Sequence, residues 1–230
     1  MQIIINNWLS IWLYVMVGIG IYLSWLIYKN RKTWSVLNIL CTLAVVVLVL
    51  HVIEEWVLPG GLHYSYNIDH GSTILSRYPM NRLTDMITNF GGVLLGCIVL
   101  KFWGFRKPAG IAIMLFSAFE VVIHIVIGIN SMGTFGEYGQ NVLYSPGLIT
   151  SLFGFLPICM ALAVHLIKKK NRPKIKQWFM AVVAMFLFCF LLINLPEMIL
   201  GDENSPYAFT DRGYYEQFAE EYERDNNLIY

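Results

Sequence analysis

The chain has 230 residues, of which 57% are hydrophobic and 13% are charged, and its formal net charge is +1. Soluble domains carry charge on about a quarter of their residues, so this composition excludes an ordinary soluble protein. The chain also has no strongly basic, aromatic-rich stretch, which argues against a nucleic-acid partner. We therefore predict an integral membrane protein whose main partner is the lipid bilayer.

Six apolar runs are long enough to cross a hydrocarbon core of about 30 Å as helices. The predicted spans cover residues 8–28, 36–58, 84–103, 111–130, 146–167 and 177–200. They predict an all-α, polytopic membrane protein, a bundle of six transmembrane helices in one domain over residues 1–200. We expect the first run to stay in the membrane, because it is too long for the apolar core of a signal peptide.

Basic residues predict the orientation of the bundle. Most of the 16 Lys and Arg residues follow the first, third and fifth spans. The positive-inside rule assigns that side to the cytoplasm. Both termini are then extracytoplasmic, and we expect a multi-pass protein of the cell membrane.

The second and fourth spans carry ionisable residues at helical spacing. The second ends with His51, Glu54 and Glu55, and the fourth contains Glu120 and His124. A charged side chain in hydrocarbon costs about 2.5–3.5 kcal/mol, so such residues persist where they pair, bind an ion or face water. Each set projects from one stripe of its helix, at one level in the predicted outer half. We predict a single site between these two spans.

Polar residues of the third and sixth spans fall at the same level. Asp85 and Asn89 open the third span, and Asn194 and Glu197 close the sixth. Asp85 and Glu197 are therefore further candidate ligands.

The extracytoplasmic segments are polar. The connection over residues 59–83 is the longest, and we expect a solvated connection rather than a lid. Residues 201–230 form an acidic, Tyr-rich tail that we expect to be mostly solvated, with a short surface helix at 214–223.

Two His and three Glu residues suit a divalent metal such as Zn, Fe or Mn, and helical bundles build such sites from facing helices. The order His-x-x-Glu-Glu also echoes an inverted zinc-protease motif. In this interpretation His51 and Glu55 are ligands, Glu54 is the base that activates a bound water, and Glu120 or His124 is a further ligand.

Three other interpretations remain open. His51 and Glu55 would move a proton on an apolar substrate without a metal. Alternatively, the cluster is a proton or cation relay in a small transporter, although the inner halves of the second, fourth and sixth spans are almost wholly apolar. In the last, the cluster is structural and the role is non-enzymatic.

The stretch His51 to Glu55 resembles the signature of the HXXEE-motif family of integral membrane proteins. That family is also marked by a further Glu and His, which Glu120 and His124 resemble. A fainter similarity connects His51, Glu55 and Trp56 with emopamil-binding, sterol-isomerase-type membrane proteins, with Asp85 as the second acid. There the Trp is one residue out of step and Glu54 has no counterpart.

Together these patterns predict a membrane-embedded enzyme, a metal-dependent hydrolase or an acid–base isomerase. Its substrate would be an apolar, lipid-like small molecule or a membrane-proximal peptide. His51, Glu54, Glu55, Glu120 and His124 are the predicted site residues.

Overall fold

A computed structural model describes residues 2–228 and residue 230. Of the described residues, 73% are helical, and no strand forms among them. In chain order the helices are α1 (Trp8–Asn30), α2 (Val36–Trp56), α3 (Leu62–Asp69), α4 (Arg82–Phe102), α5 (Lys107–Phe135), α6 (Leu148–Ile167), α7 (Ile175–Leu200) and α8 (Glu216–Asn226). A short helix, Gln2–Asn6, precedes α1, and a 3-10 turn, Gly213–Tyr215, leads into α8.

Six of these helices are long and apolar enough to cross a membrane: α1, α2, α4, α5, α6 and α7. The predicted all-α bundle of six spans is confirmed, with boundaries that differ by a few residues. The largest difference is at α5, which continues to Phe135 instead of ending at residue 130. It continues because Phe135 is buried and Ser131 hydrogen-bonds Tyr215 at 2.7 Å. The orientation of the termini stays a prediction.

Local sequence signals start α2 and α4. Ser35 caps α2 by accepting a hydrogen bond from the backbone N–H of Asn38. Asn81 and Thr84 form a capping box at the start of α4. Both devices satisfy backbone donors that the first turn of a helix leaves free. They fix the register of the long apolar helices that follow.

Helix α2 lies at the centre of the bundle and packs against α1, α4, α5 and α6. Half of the apolar stretch of α2 is buried, compared with 6% of that of α7. Helix α7 packs mainly along α5. A central helix surrounded by protein can carry polar side chains that would be costly at a lipid-facing surface. This position of α2 is what allows it to hold His51, Glu54 and Glu55.

The connection between α2 and α4 is not the solvated segment that the sequence predicts. It contains α3, in which His63, Tyr64 and Asn67 are buried. The Asn67 side chain donates to the carbonyls of Leu75 and Met80 at 2.8 and 3.1 Å. These hydrogen bonds of Asn67 help to hold the segment folded against the end of the bundle.

The short helix predicted for the tail forms as α8, but the described part of residues 201–230 is less solvated than expected. Phe218 and Ala219 of α8 are buried in a second apolar cluster with Tyr64, Phe135 and Tyr215. The tail folds because its aromatic side chains supply a core of their own. The division of the chain into domains at residue 200 stays a prediction.

Candidate functional site

Four side chains from α2 and α5 meet in one cluster, which we call the His/Glu cluster: His51, Glu55, Glu120 and His124. Glu55 Oε1 lies 3.1 Å from His51 Nε2 and 3.2 Å from His124 Nε2. Glu120 Oε2 lies 3.4 and 3.6 Å from the same two nitrogens. The imidazole rings are perpendicular, with centroids 4.8 Å apart. Nitrogen and oxygen atoms thus alternate around a small ring.

The His/Glu cluster is buried and holds two carboxylates. Both His side chains are 2% exposed, and those of Glu55 and Glu120 are 11% and 12% exposed. Among the described residues, no Lys or Arg lies within ion-pair distance of either carboxylate. Buried charges need a partner of opposite charge, so either protons on the imidazoles or a cation must balance this cluster.

A hydrogen-bond relay on the other side of His51 fixes which imidazole nitrogen carries the proton. The Thr150 hydroxyl donates to Glu54 Oε2 at 2.6 Å. His51 Nδ1 lies 2.7 Å from that hydroxyl oxygen. A hydroxyl has a single proton, and the carboxylate takes it, so Nδ1–H of His51 must donate to Thr150. In a neutral His51, Nε2 then presents a lone pair to Glu55 and Glu120.

Glu54, the predicted base, lies outside the His/Glu cluster and is held by other partners. Its carboxylate accepts from the backbone N–H groups of Ile149 and Thr150 at 2.9 and 2.7 Å. Tyr144 donates to it at 3.2 Å. These amides belong to the first turn of α6, where free N–H groups and the helix dipole favour an anion. Glu54 is thereby held away from the space between the two imidazoles.

His124 is seated by the connection between α5 and α6. The ring lies against Gly147, where an added Cβ would come within 2.2 Å of Cε1. Gly147 also has a φ of +97°, a conformation in which other residues are strained. Ser145 donates to the His124 carbonyl at 3.0 Å. The Pro-Gly turn before α6 therefore both starts that helix and makes room for the imidazole.

Two nitrogens of the cluster have no hydrogen-bond partner among the described residues: His51 Nε2 and His124 Nδ1. Although His51 Nε2 faces two carboxylate oxygens, neither contact has hydrogen-bond geometry. Buried polar atoms are rarely left without a partner. A buried nitrogen that faces two carboxylate oxygens is compatible with a metal ligand and also with an ion pair.

The observed separations also suit a metal. Ligand bonds to Zn²⁺ are about 2.0–2.2 Å long, so neighbouring ligand atoms of a tetrahedral site stand about 3.3–3.6 Å apart. The four edges of the His/Glu cluster span 3.1 to 3.6 Å. Ligand atoms of His51, Glu120 and His124 all lie within 4.8 Å of one another, and this group could hold a metal ion.

The two further candidates from the sequence stand outside that group. Glu197 accepts a hydrogen bond at 2.9 Å from Tyr66 of α3. Asp85 is 3% exposed, and its Oδ2 has no hydrogen-bond partner among the described residues. Asn89 bonds the Asp85 carbonyl rather than its carboxyl group. The structure therefore brings together one Glu and one His from each of α2 and α5. The acids of α4 and α7 lie outside this cluster.

Several residues that hold the site were not identified from the sequence. Thr150 and Tyr144 contact Glu54, and Gly147 accommodates His124. The only available signal was the Pro-Gly turn, which predicts where the fifth span begins. In an apolar span, the sequence does not distinguish a threonine that connects two side chains by hydrogen bonds from one that only packs.

Comparison with known protein families places the chain. A family described as "Protein of unknown function with HXXEE motif" matches residues 42–162, more than half of the chain. The protein belongs to this HXXEE family. The matched region includes Thr150 and all four residues of the His/Glu cluster. The motif itself consists of His51, Glu54 and Glu55 of α2. The fainter emopamil-binding similarity finds no support. No curated protein and no solved structure matches the chain.

Proposed function

We propose that this HXXEE protein is a membrane-embedded, metal-dependent enzyme that acts on a lipid-like substrate. His51, Glu120 and His124 would be the metal ligands, and Glu55 would be the adjacent base. The cell membrane is the proposed location, with Zn, Fe or Mn as the metal. The observation that carries the proposal is the His51 tautomer, because the relay through Thr150 leaves Nε2 free to ligate.

The relay has the form that metal-binding histidines commonly show. Such histidines donate their other ring N–H to a carboxylate, carbonyl or similar acceptor, which orients the ring and raises its basicity. Here the acceptor is Thr150, which is itself held by Glu54. Two neutral imidazoles and two carboxylates carry a charge of −2, which one divalent cation balances.

The residues take distinct roles under this proposal. A metal at this position would polarise a substrate oxygen or lower the pKa of a bound water. Glu55 Oε1 lies beside both ligand nitrogens, within reach of a water in the same space, and so can accept its proton. Glu54 and Thr150 orient His51 and take no part in the proton transfer.

A metal-free acid–base isomerase is the second candidate. The same distances suit two imidazolium–carboxylate pairs, in which two protons balance the two carboxylates. A transporter is less well supported. Between the cluster and the Lys- and Arg-rich end of the bundle, the residues that line the pocket are apolar and offer no relay for an ion. In a purely structural role, the same four contacts would be ion pairs that hold α2 against α5.

Elemental analysis of detergent-purified protein tests the metal. We expect close to one Zn, Fe or Mn per chain in the parent and loss of the metal in His124→Gln and Glu120→Gln. Glu197→Gln is the matched control, since its carboxylate is held by Tyr66 outside the cluster. Metal-free parent protein would refute the metal, and retention of metal in both cluster variants would refute the ligand set.

A second experiment tests the enzymatic role. Purified parent protein and Glu55→Gln would be incubated with a polar lipid extract, and the lipids compared by mass spectrometry. We expect lipid species that the parent consumes and the variant leaves intact. Consumption by metal-free parent would favour the isomerase, and no change with metal-loaded parent would refute the enzyme.

A further inference from the structure

An apolar pocket lies between α2, α4, α5 and α7, next to the His/Glu cluster. Its volume is about 190 Å³, compared with about 150 Å³ for an engineered apolar cavity that stays dry and binds benzene. The walls run from Gly92 to Val99 on α4 and from Ala109 to Phe116 on α5. Seven residues of helix span about 10 Å. The pocket is therefore elongated along the helices.

The pocket ends at the cluster. Phe155 lines it, and its ring lies 5.2 Å from that of His51. Phe116 lines it too, one helical turn before Glu120, and its ring meets that of Phe155 edge-on at 5.7 Å. These two rings therefore lie at the end of the pocket that is nearest to the His/Glu cluster. Phe155 belongs to a π-helical turn, Ser151–Phe155, of the kind that often marks functional sites.

The opposite side of the pocket reaches the lipid-facing surface. Leu95 of α4 and Ala184 of α7 line it and are exposed. Both lie well inside helices long enough to span the bilayer, at a depth where the surrounding solvent is hydrocarbon. Gly92 lines the buried part of the pocket, where an added Cβ would come within 3.2 Å of Leu48. This side of the pocket would therefore face the acyl chains of the bilayer.

From these observations we propose that the pocket binds the hydrocarbon chain of the substrate, with its reactive polar end at the His/Glu cluster. This inference rests on the proposed function and specifies its substrate as a single-chain amphiphile, or a lipid that inserts one chain. The chain follows α4 and α5 past the Phe116 and Phe155 rings. Its polar end then lies beside Glu55.

Photo-cross-linking tests the pocket without knowledge of the reaction. The probe is a palmitic acid analogue with a diazirine in mid-chain, added to detergent-purified protein, and labelled residues are located by mass spectrometry. We expect labels on pocket residues such as Leu95, Met185 and Phe188. Ala112→Leu fills the pocket from α5. Ala118→Leu is the matched control, since Ala118 is half-buried on the same helix and outside the pocket.

Ala112→Leu should lower pocket labelling about tenfold, because it displaces buried methylenes of the probe. Ala118→Leu should label like the parent. Equal labelling of all three proteins, or labels confined to lipid-facing residues outside the pocket, would overturn the inference.

Two further measurements separate this inference from the proposed function. Ala112→Leu should keep the parent's metal content while consuming about tenfold less of any lipid that the parent consumes. Retained metal with undiminished lipid consumption would overturn the pocket alone. Pocket labelling in a protein that binds no metal would support the pocket and refute the metal-dependent function.

Discussion

Replacing Thr150 by valine removes the hydroxyl between Glu54 and His51 while keeping the size and branching of the side chain. That hydroxyl donates at 2.6 Å to Glu54 and accepts at 2.7 Å from His51 Nδ1. Valine leaves the buried imidazole N–H without an acceptor, which costs about 1–3 kcal/mol of stability. If His51 ligates a metal, the loss of its orienting partner also weakens metal binding about 10–100-fold.

Thermal unfolding and Zn²⁺ titration against a fluorescent chelator, both in detergent, measure the two effects. In a chain of this size 1 kcal/mol shifts the midpoint by about 2–4 °C, so we expect a fall of several degrees. Thr42→Val is the matched control, because Thr42 is fully buried on α2 and its hydroxyl has no hydrogen-bond partner among the described residues. Thr150→Ser should retain both properties. Equal midpoints and Zn²⁺ affinities for Thr150→Val and Thr42→Val would refute the relay.

Two other substitutions test neighbouring parts of the structure. Gly147→Ala places a Cβ 2.2 Å from His124 Cε1 at a φ of +97°. It should therefore lower the unfolding midpoint and abolish any metal binding. Gly133→Ala, with open space around it, should do neither. Burial, reinforced by the charge of Arg82, lowers the pKa of His63 to about 3. The unfolded chain therefore binds a proton that the folded protein excludes, and below pH 6.5 stability should fall by up to about 1.4 kcal/mol per pH unit. Unfolding midpoints of His63→Phe should lose that slope, and an unchanged slope would contradict the assignment.

The spans were predictable because a single signal, a long apolar run, decides them. In the bilayer each backbone polar group must be satisfied within its own helix, so length and hydropathy leave little choice. The pairing of α2 with α5 at the His/Glu cluster followed from a second rule, the cost of ionisable groups in hydrocarbon. His51 and Glu120, on separate spans, were thus expected together, and they lie 3.4 Å apart.

The role of Glu54 was not predictable, since it depends on where α6 begins relative to α2. Ile149 and Thr150 are about 95 residues away in the chain, and their amides reach Glu54 only when α6 docks with its first turn at that level. Spacing within α2 gives the direction of each side chain but not what it meets. The short helix of the tail was predicted, but its packing was not, for a related reason. Its acidic composition suggested solvation, whereas Phe218 and Ala219 pack against residues of α3 and α5.

The HXXEE order has a geometric reason in this structure. Around α2, Glu55 stands about 40° from His51 on one side and Glu54 about 60° away on the other. The two carboxylates therefore flank the imidazole from opposite directions. Glu55 faces Nε2 directly at 3.1 Å, and Glu54 reaches Nδ1 through Thr150. One short stretch of helix thus supplies an imidazole of the cluster, the carboxylate beside its Nε2 and the carboxylate that holds the hydroxyl at its Nδ1. Because consecutive helix positions differ by about 100°, the two glutamates make different contacts in this structure.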